Sequence, residues 1–227
     1  EYQVGADATY VHICGNETIG GIEYHEYPDT GSVPLVADMS SHIMSRPVEW
    51  DKLDLVFDGA QKNLGPAGLA LVIMHKALLD KCKDELPAYL SYKTHAGKDS
   101  LYNTPPVFAI YMMKLTVDWV KSQGGLAEME KRALARSNAL YDTIDSSEGW
   151  YRCPVDRASR SRMNVCFRLP TEELETRFIA EALEANFSGL KGHRSVGGCR
   201  ASMYNAMPVE GAERLAEFMQ GFKKNNA

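Results

Sequence analysis

Residues 53–74 read LDLVFDGAQKNLGPAGLALVIM. Two apolar runs of strand length, 55–57 and 69–74, flank a turn built from Gly65, Pro66 and Gly68, and one lysine, Lys62, stands between them. Runs this short and this continuous are the pattern of strands covered on both faces. Similar runs occur at 10–13 (YVHI) and 34–37 (PLVA), each followed by polar or glycine-rich residues. Helical segments intervene, one of them expected over 76–86. The alternation predicts an α/β architecture around a mainly parallel sheet.

Further along, a loop rich in Gly, Ser and Asn covers about 91–104, and a long helix is expected from the pair Pro105-Pro106 to the stop at Gly124-Gly125. Val107, Phe108, Tyr111, Met112, Leu115 and Trp119 share one side of it at helical spacing, the pattern of a core-facing stripe. Beyond Gly125 the texture changes to helix (126–144), strand (162–169), helix (171–185), strand (200–204) and helix (208–222), an α+β unit. Thr171 followed by Glu172, Glu173 and Glu175 is a hydroxyl cap with carboxylates that suit the helix dipole. The expected domains are 1–124 and 125–227.

At 227 residues and 44% hydrophobic, the chain has material for one large domain or two small ones. A net charge of −5 with scattered basic residues argues against nucleic acid or an anionic membrane as partner. No apolar run approaches the ~20 residues of a membrane-spanning helix. Five widely spaced cysteines without a CxxC pattern suit reduced thiols rather than a disulfide framework or a zinc site, so no metal is expected and the expected compartment is cytoplasmic. The chain opens EYQVGADATYVHIC, without Met, and reads as part of a longer protein.

A strand-end lysine has a plain explanation, snorkelling to solvent. Its neighbours point elsewhere. Gln61 and Asn63 supply amides, the glycines allow close approach of backbone to a ligand, and ligands of α/β sheets gather at the carboxyl ends of strands. A lysine held there can act as a nucleophilic amine toward an aldehyde. Asp38, in PLVADMSSHIMSRP, directly follows another apolar strand. A carboxylate and a lysine at neighbouring strand ends form the pair that pyridoxal 5′-phosphate requires, one for its ring nitrogen and one for its aldehyde. Taken alone, an Asp after a strand is more often a turn former.

The stretches ADMSSHIMSRP, GAQKNLGPAG, LYNTPP, SRMNV, LKGHRSVGG and RASMYNAMP resemble the phosphoserine aminotransferase family, in family order and over essentially the whole chain. The resemblance implies the class-V, fold-type-I architecture of pyridoxal-phosphate transferases, with a partial large domain and a small C-terminal domain. It also implies a homodimer that converts 3-phosphohydroxypyruvate and glutamate to O-phosphoserine and 2-oxoglutarate, in serine biosynthesis. It makes Lys62 the lysine that bonds the cofactor and Asp38 the partner of the pyridine nitrogen. Thr18 would contact the phenolic oxygen and Gln61 the cofactor phosphate, while Asn103 and Thr104 would reach the cofactor phosphate of the other subunit. Arg200 would clamp the substrate α-carboxylate, and His193 and Arg194 would bind the substrate phosphate.

The family carries a long segment before the position of Glu1, with the ring that stacks on the cofactor and the backbone cup for its phosphate. Without that segment, an unpaired sheet edge, an exposed apolar face and little or no activity are expected. Two alternatives stand beside this reading. One is another enzyme of the superfamily, an alanine–glyoxylate type transaminase or a desulfurase, for which Cys82 and Cys199 are poor persulfide carriers. The other is a non-catalytic dimerising fragment.

Overall fold

A computed structural model describes residues 3–5 and 7–227. It divides into two compact units. The first takes residues up to Cys14, Tyr27–Ile43 and Val48–Trp119; the second takes Gly15–Glu26, Met44–Pro47 and Val120–Ala227. Among the described residues no helix is long and apolar enough to cross a membrane.

The first unit is built on a four-stranded sheet. Strands β1 (Val11–Cys14), β4 (Leu35–Asp38), β5 (Leu55–Gly59) and β6 (Ala70–Met74) lie side by side in that order, while β2 (Asn16–Glu17) and β3 (Ile22–Glu23) form a separate hairpin in the second unit. β1–β4 and β4–β5 are parallel, and β6 returns antiparallel to β5 through the turn that carries Lys62. Leu35, Ala37, Leu55, Val56, Ala60 and Leu64 make the buried core under this sheet. Asp54 aligns the register: its carboxylate accepts from Leu35 N (2.9 Å) and its carbonyl from His75 N (2.9 Å). Burial on both faces, expected for every strand, fails at β6, where Val72 and Ile73 are exposed, and at β1, where His12 is exposed.

Two helical expectations also change. Only α1 (Lys76–Asp80) forms of the helix expected over 76–86. The polar run after Leu79 offers no apolar stripe to bury, and Pro87 disfavours helical geometry at the residue before it. After the short α2 (Tyr92–Ala96), α3 (Val107–Ser122) forms as expected but with the opposite face inward. Val107 (67% exposed), Phe108 (73%), Tyr111 and Leu115 point to solvent, whereas Ala109 is buried. Met113 sits against the lysine turn so closely that a Cβ on Gly65 would lie 3.3 Å from its Cα. The missing side chain of Gly65 permits that approach.

In the second unit α4 (Gly125–Asp145), β7 (Asn164–Phe167), α5 (Glu172–Glu184), β8 (Cys199–Ser202) and α6 (Val209–Asn226) surround one aromatic core. Met129, Ala133, Leu140 and Ile144 recur at helical spacing along the buried side of α4. Phe178 of α5 is fully buried and meets Phe167, Tyr151 and Phe222 edge-on at centroid separations of 5.7, 6.2 and 5.1 Å. Thr171 caps α5 as expected, accepting from Leu174 N at 3.3 Å. Arg160 and Arg162, just before β7, are both paired with carboxylates. Arg160 holds Asp145 through two bonds (2.9 and 2.8 Å), and Arg162 bonds Glu130 at 2.7 Å.

One charge lies inside the first unit. Asp58 of β5 is 1% exposed, and neither carboxylate oxygen has a hydrogen-bond partner among the described residues. Burial, reinforced by the Asp38 charge and opposed by Lys62, pushes its pKa up from 3.8 to about 7. Such a group favours the folded state fully below its unfolded pKa, and that contribution is lost as pH rises through about 7. Asp58→Asn should therefore gain stability relative to the native chain between about pH 5 and pH 8, by roughly 2–4 kcal/mol. Urea unfolding midpoints of the two proteins that run parallel across this range would contradict the assignment.

Candidate active site

Because β4 and β5 are parallel neighbours, their carboxyl ends fall together, with Asp38 in register with Phe57. The chain turns helically after each end. Ile43 N bonds Met39 O (2.8 Å) after β4, and Leu64 N and Gly65 N bond Ala60 O (3.0 and 2.7 Å) after β5. Two bonds tie the turns to each other: Gly59 N donates to Ser40 Oγ (3.0 Å), and the Asn63 amide donates to the carbonyl of Ile43. Asp38 Oδ1 accepts from Ser40 N at 2.8 Å, which fixes the carboxylate at the strand end. Lys62 is half-buried on the second turn, Gln61 beside it is exposed, and Asp58 lies below in β5, close enough for both Asp38 and Lys62 to act on its charge. The first unit thus brings Asp38, Gln61 and Lys62 onto one cross-tied scaffold. Asn103 and Thr104 are exposed, in the segment that leads into α3.

Thr18, His193, Arg194 and Arg200 belong to the second unit. Thr18 rides on the β2–β3 hairpin, which is fastened to the SRMNV stretch. Asn16 donates to Asn164 Oδ1 (2.8 Å), and Arg162 N donates to Glu23 (2.8 Å). Gly21, at φ +75°, passes so close that a Cβ would lie 2.5 Å from Asn164 O. Arg200, on β8, donates from Nη1 to Thr18 O (3.2 Å). Its Nε is buried without a hydrogen-bond partner among the described residues, a donor turned inward with nothing to accept from it.

His193 and Arg194 sit at the tip of a tight loop whose base is the Lys191–Cys199 bridge. Gly192 N donates to Gly198 O (2.9 Å), and Val196 N and Gly197 N both donate to His193 O (2.9 and 2.8 Å). A Cβ on Gly192 would fall 2.0 Å from Gly197 O, so the two arms close only with glycine there. Ser195 N donates to His193 Nδ1 (3.3 Å), which makes Nδ1 the acceptor and leaves the ring proton on Nε2. Arg194 is exposed. The loop thereby offers an imidazole N–H and a guanidinium, donors suited to an anion.

Asn63, expected to offer its amide to a ligand, is buried and donates it to the Ile43 carbonyl instead. Ser40 and Asp58 lie within the stretches already singled out, yet only strand pairing reveals what they face. Asp58 had one local signal, a carboxylate at the end of an apolar run four residues before a lysine. Of the two cysteines weighed as persulfide carriers, Cys199 is buried and its thiol is pushed up to about 12 by burial, the reverse of a reactive thiolate. Among the described residues no group of three or more His, Cys, Asp or Glu side chains is placed to hold a metal ion.

The chain is similar to known proteins along its whole length. The phosphoserine aminotransferases of Lysinibacillus sphaericus and Laribacter hongkongensis are 51% and 53% identical over 226 residues, which is 100% of this chain and 62% and 63% of theirs. The solved phosphoserine aminotransferase of Bacillus circulans subsp. alkalophilus superposes with a TM-score of 0.96 at 48% identity, over 99% of this chain and 62% of that one. The chain thus spans somewhat less than two thirds of the length of these relatives. The family model for class-V aminotransferases matches residues 1–215, and the chain belongs to that family.

Proposed function

We propose that this chain carries the reactive lysine and the substrate-anion residues of a phosphoserine aminotransferase. The protein would move an amino group from glutamate to 3-phosphohydroxypyruvate, in serine biosynthesis, as a homodimer with pyridoxal 5′-phosphate. The observation that carries the reading is the cross-tied pair of strand ends bearing Asp38 and Lys62. About half of this chain's residues are identical to those of the relatives, and the same motifs stand in order, which supports the choice of substrate.

The donor set fits the cofactor. It has an amine for an aldehyde, a carboxylate for a ring nitrogen and an amide beside the lysine for a phosphate. When bound, that group supplies an aldehyde and an electron-accepting ring. Lys62 would hold the aldehyde carbon and Asp38 the ring nitrogen, with Gln61 on the cofactor phosphate. Thr18 would contact the phenolic oxygen, and Asn103 and Thr104 would reach the cofactor phosphate of the other subunit.

With cofactor and substrate bound, Lys62 Nζ would serve as the base for the proton on the substrate α-carbon. Asp38, oriented by Ser40 N, would sit against the ring nitrogen and favour its protonated form. Arg200 would receive the α-carboxylate, its partnerless Nε being the donor available for the second oxygen. His193 Nε2–H and Arg194 would take the phosphate.

Two outcomes test this. Borohydride reduction after incubation with pyridoxal phosphate should leave a pyridoxyl adduct concentrated at Lys62 by peptide mass spectrometry, and Lys62→Ala should abolish it. Adducts spread evenly over surface lysines would overturn the assignment. In the dimeric holoenzyme, Arg200→Lys should raise KM for glutamate and for the keto acid about 10–100-fold, since lysine cannot reproduce the two-pronged contact. Unchanged KM values for both would remove Arg200 from the site.

A further inference from the structure

Beneath the anion loop lies a residue that no motif accounts for. Arg168, just after β7, donates from Nε to Glu175 Oε1 at 2.6 Å and from Nη1 to Val196 O at 3.0 Å. Glu175 is buried in the first turn of α5, where the helix dipole favours its charge, and it also accepts from Leu169 N at 3.3 Å. Val196 belongs to the turn whose amide, with that of Gly197, closes on His193 O. The arginine stem runs directly under the loop: a Cβ on Gly198 would stand 2.5 Å from Arg168 Cδ, and one on Gly197 3.6 Å from its Nη1. Both glycines adopt positive φ, +74° and +69°, which lets the loop settle on the arginine. The guanidinium therefore spans from a rigid helix terminus to the backbone of the loop tip.

We propose that Arg168, anchored by Glu175, is a positioning residue that holds the 192–198 loop in the conformation presenting His193 and Arg194 to a phosphorylated substrate. This rests on the phosphate role assigned to those two residues above. Arg168 itself touches no substrate; its fork acts on the loop through the Val196 carbonyl. A single ammonium on a flexible stem cannot serve both acceptors in the same fixed geometry.

Arg168→Lys is the decisive variant, because it keeps a positive charge against buried Glu175 and so spares the fold. Amide hydrogen exchange at Val196 and Gly197 should accelerate about tenfold or more in this variant, with exchange in α4 and α6 unchanged. Titration with inorganic phosphate, followed by NMR of the His193 ring, should need about tenfold more phosphate than in the native chain. Native-like exchange and native-like phosphate response in Arg168→Lys would overturn the proposal. A native chain whose His193 ignores phosphate would instead overturn the phosphate reading on which it rests, so the two failures are distinct. Should Arg168→Lys not fold, Glu175→Gln decides by the same two measurements with the same outcomes, since it leaves the arginine in place and removes only the charge that anchors it.

Discussion

The parallel pairing of β4 and β5 is the constraint on which the candidate chemistry of the first unit depends. Parallel neighbours bring their carboxyl ends to the same edge, so whatever follows each strand is presented side by side. Here one strand is followed by Asp38 and the other by the Lys62 turn, and the Ser40–Gly59 and Asn63–Ile43 bonds remove the remaining freedom between them. Each cross-tie joins a side chain of one turn to the backbone of the other, Ser40 Oγ to Gly59 N and the Asn63 amide to the Ile43 carbonyl.

That arrangement has an internal electrostatic consequence. Asp58 occupies a strand position that an apolar residue would fill at no cost, and a buried carboxylate without a hydrogen bond is expensive in its charged form. It is relieved by holding its proton, to which Asp38 contributes and against which Lys62 acts. The site thus has two carboxyl groups in unlike surroundings. Asp38 is half-buried with a backbone N–H on its oxygen, and Asp58 is sealed in β5 with none among the described residues.

The second unit solves a different problem, that of giving precision to a loop. The glycines at 192, 197 and 198 permit a closure that no side chain could enter, but they also make the segment costly to order. The Glu175–Arg168 pair offsets this by carrying the rigidity of α5 to the Val196 carbonyl. Likewise the Thr18 hairpin has only short strands of its own and takes its definition from Asn164, Glu23 and Gly21 packed against β7.

The sequence by itself determined the strands of the four-stranded sheet, the glycine punctuation and the capped helix at Thr171. These are written in local periodicity and in side-chain chemistry, both of which survive without neighbours. Only the tertiary structure decided which face of a regular element is inward. The apolar stripe of α3 obeys helical spacing, yet it is the side bearing Ala109 and Met113 that packs, with Met113 set against Gly65, where the glycine leaves room for the helix backbone. The same holds for the exposed β6, for the burial of Asp58, and for Arg168 reaching a carbonyl far from it in sequence. A periodic pattern says that a face exists; what covers it depends on elements distant in the chain.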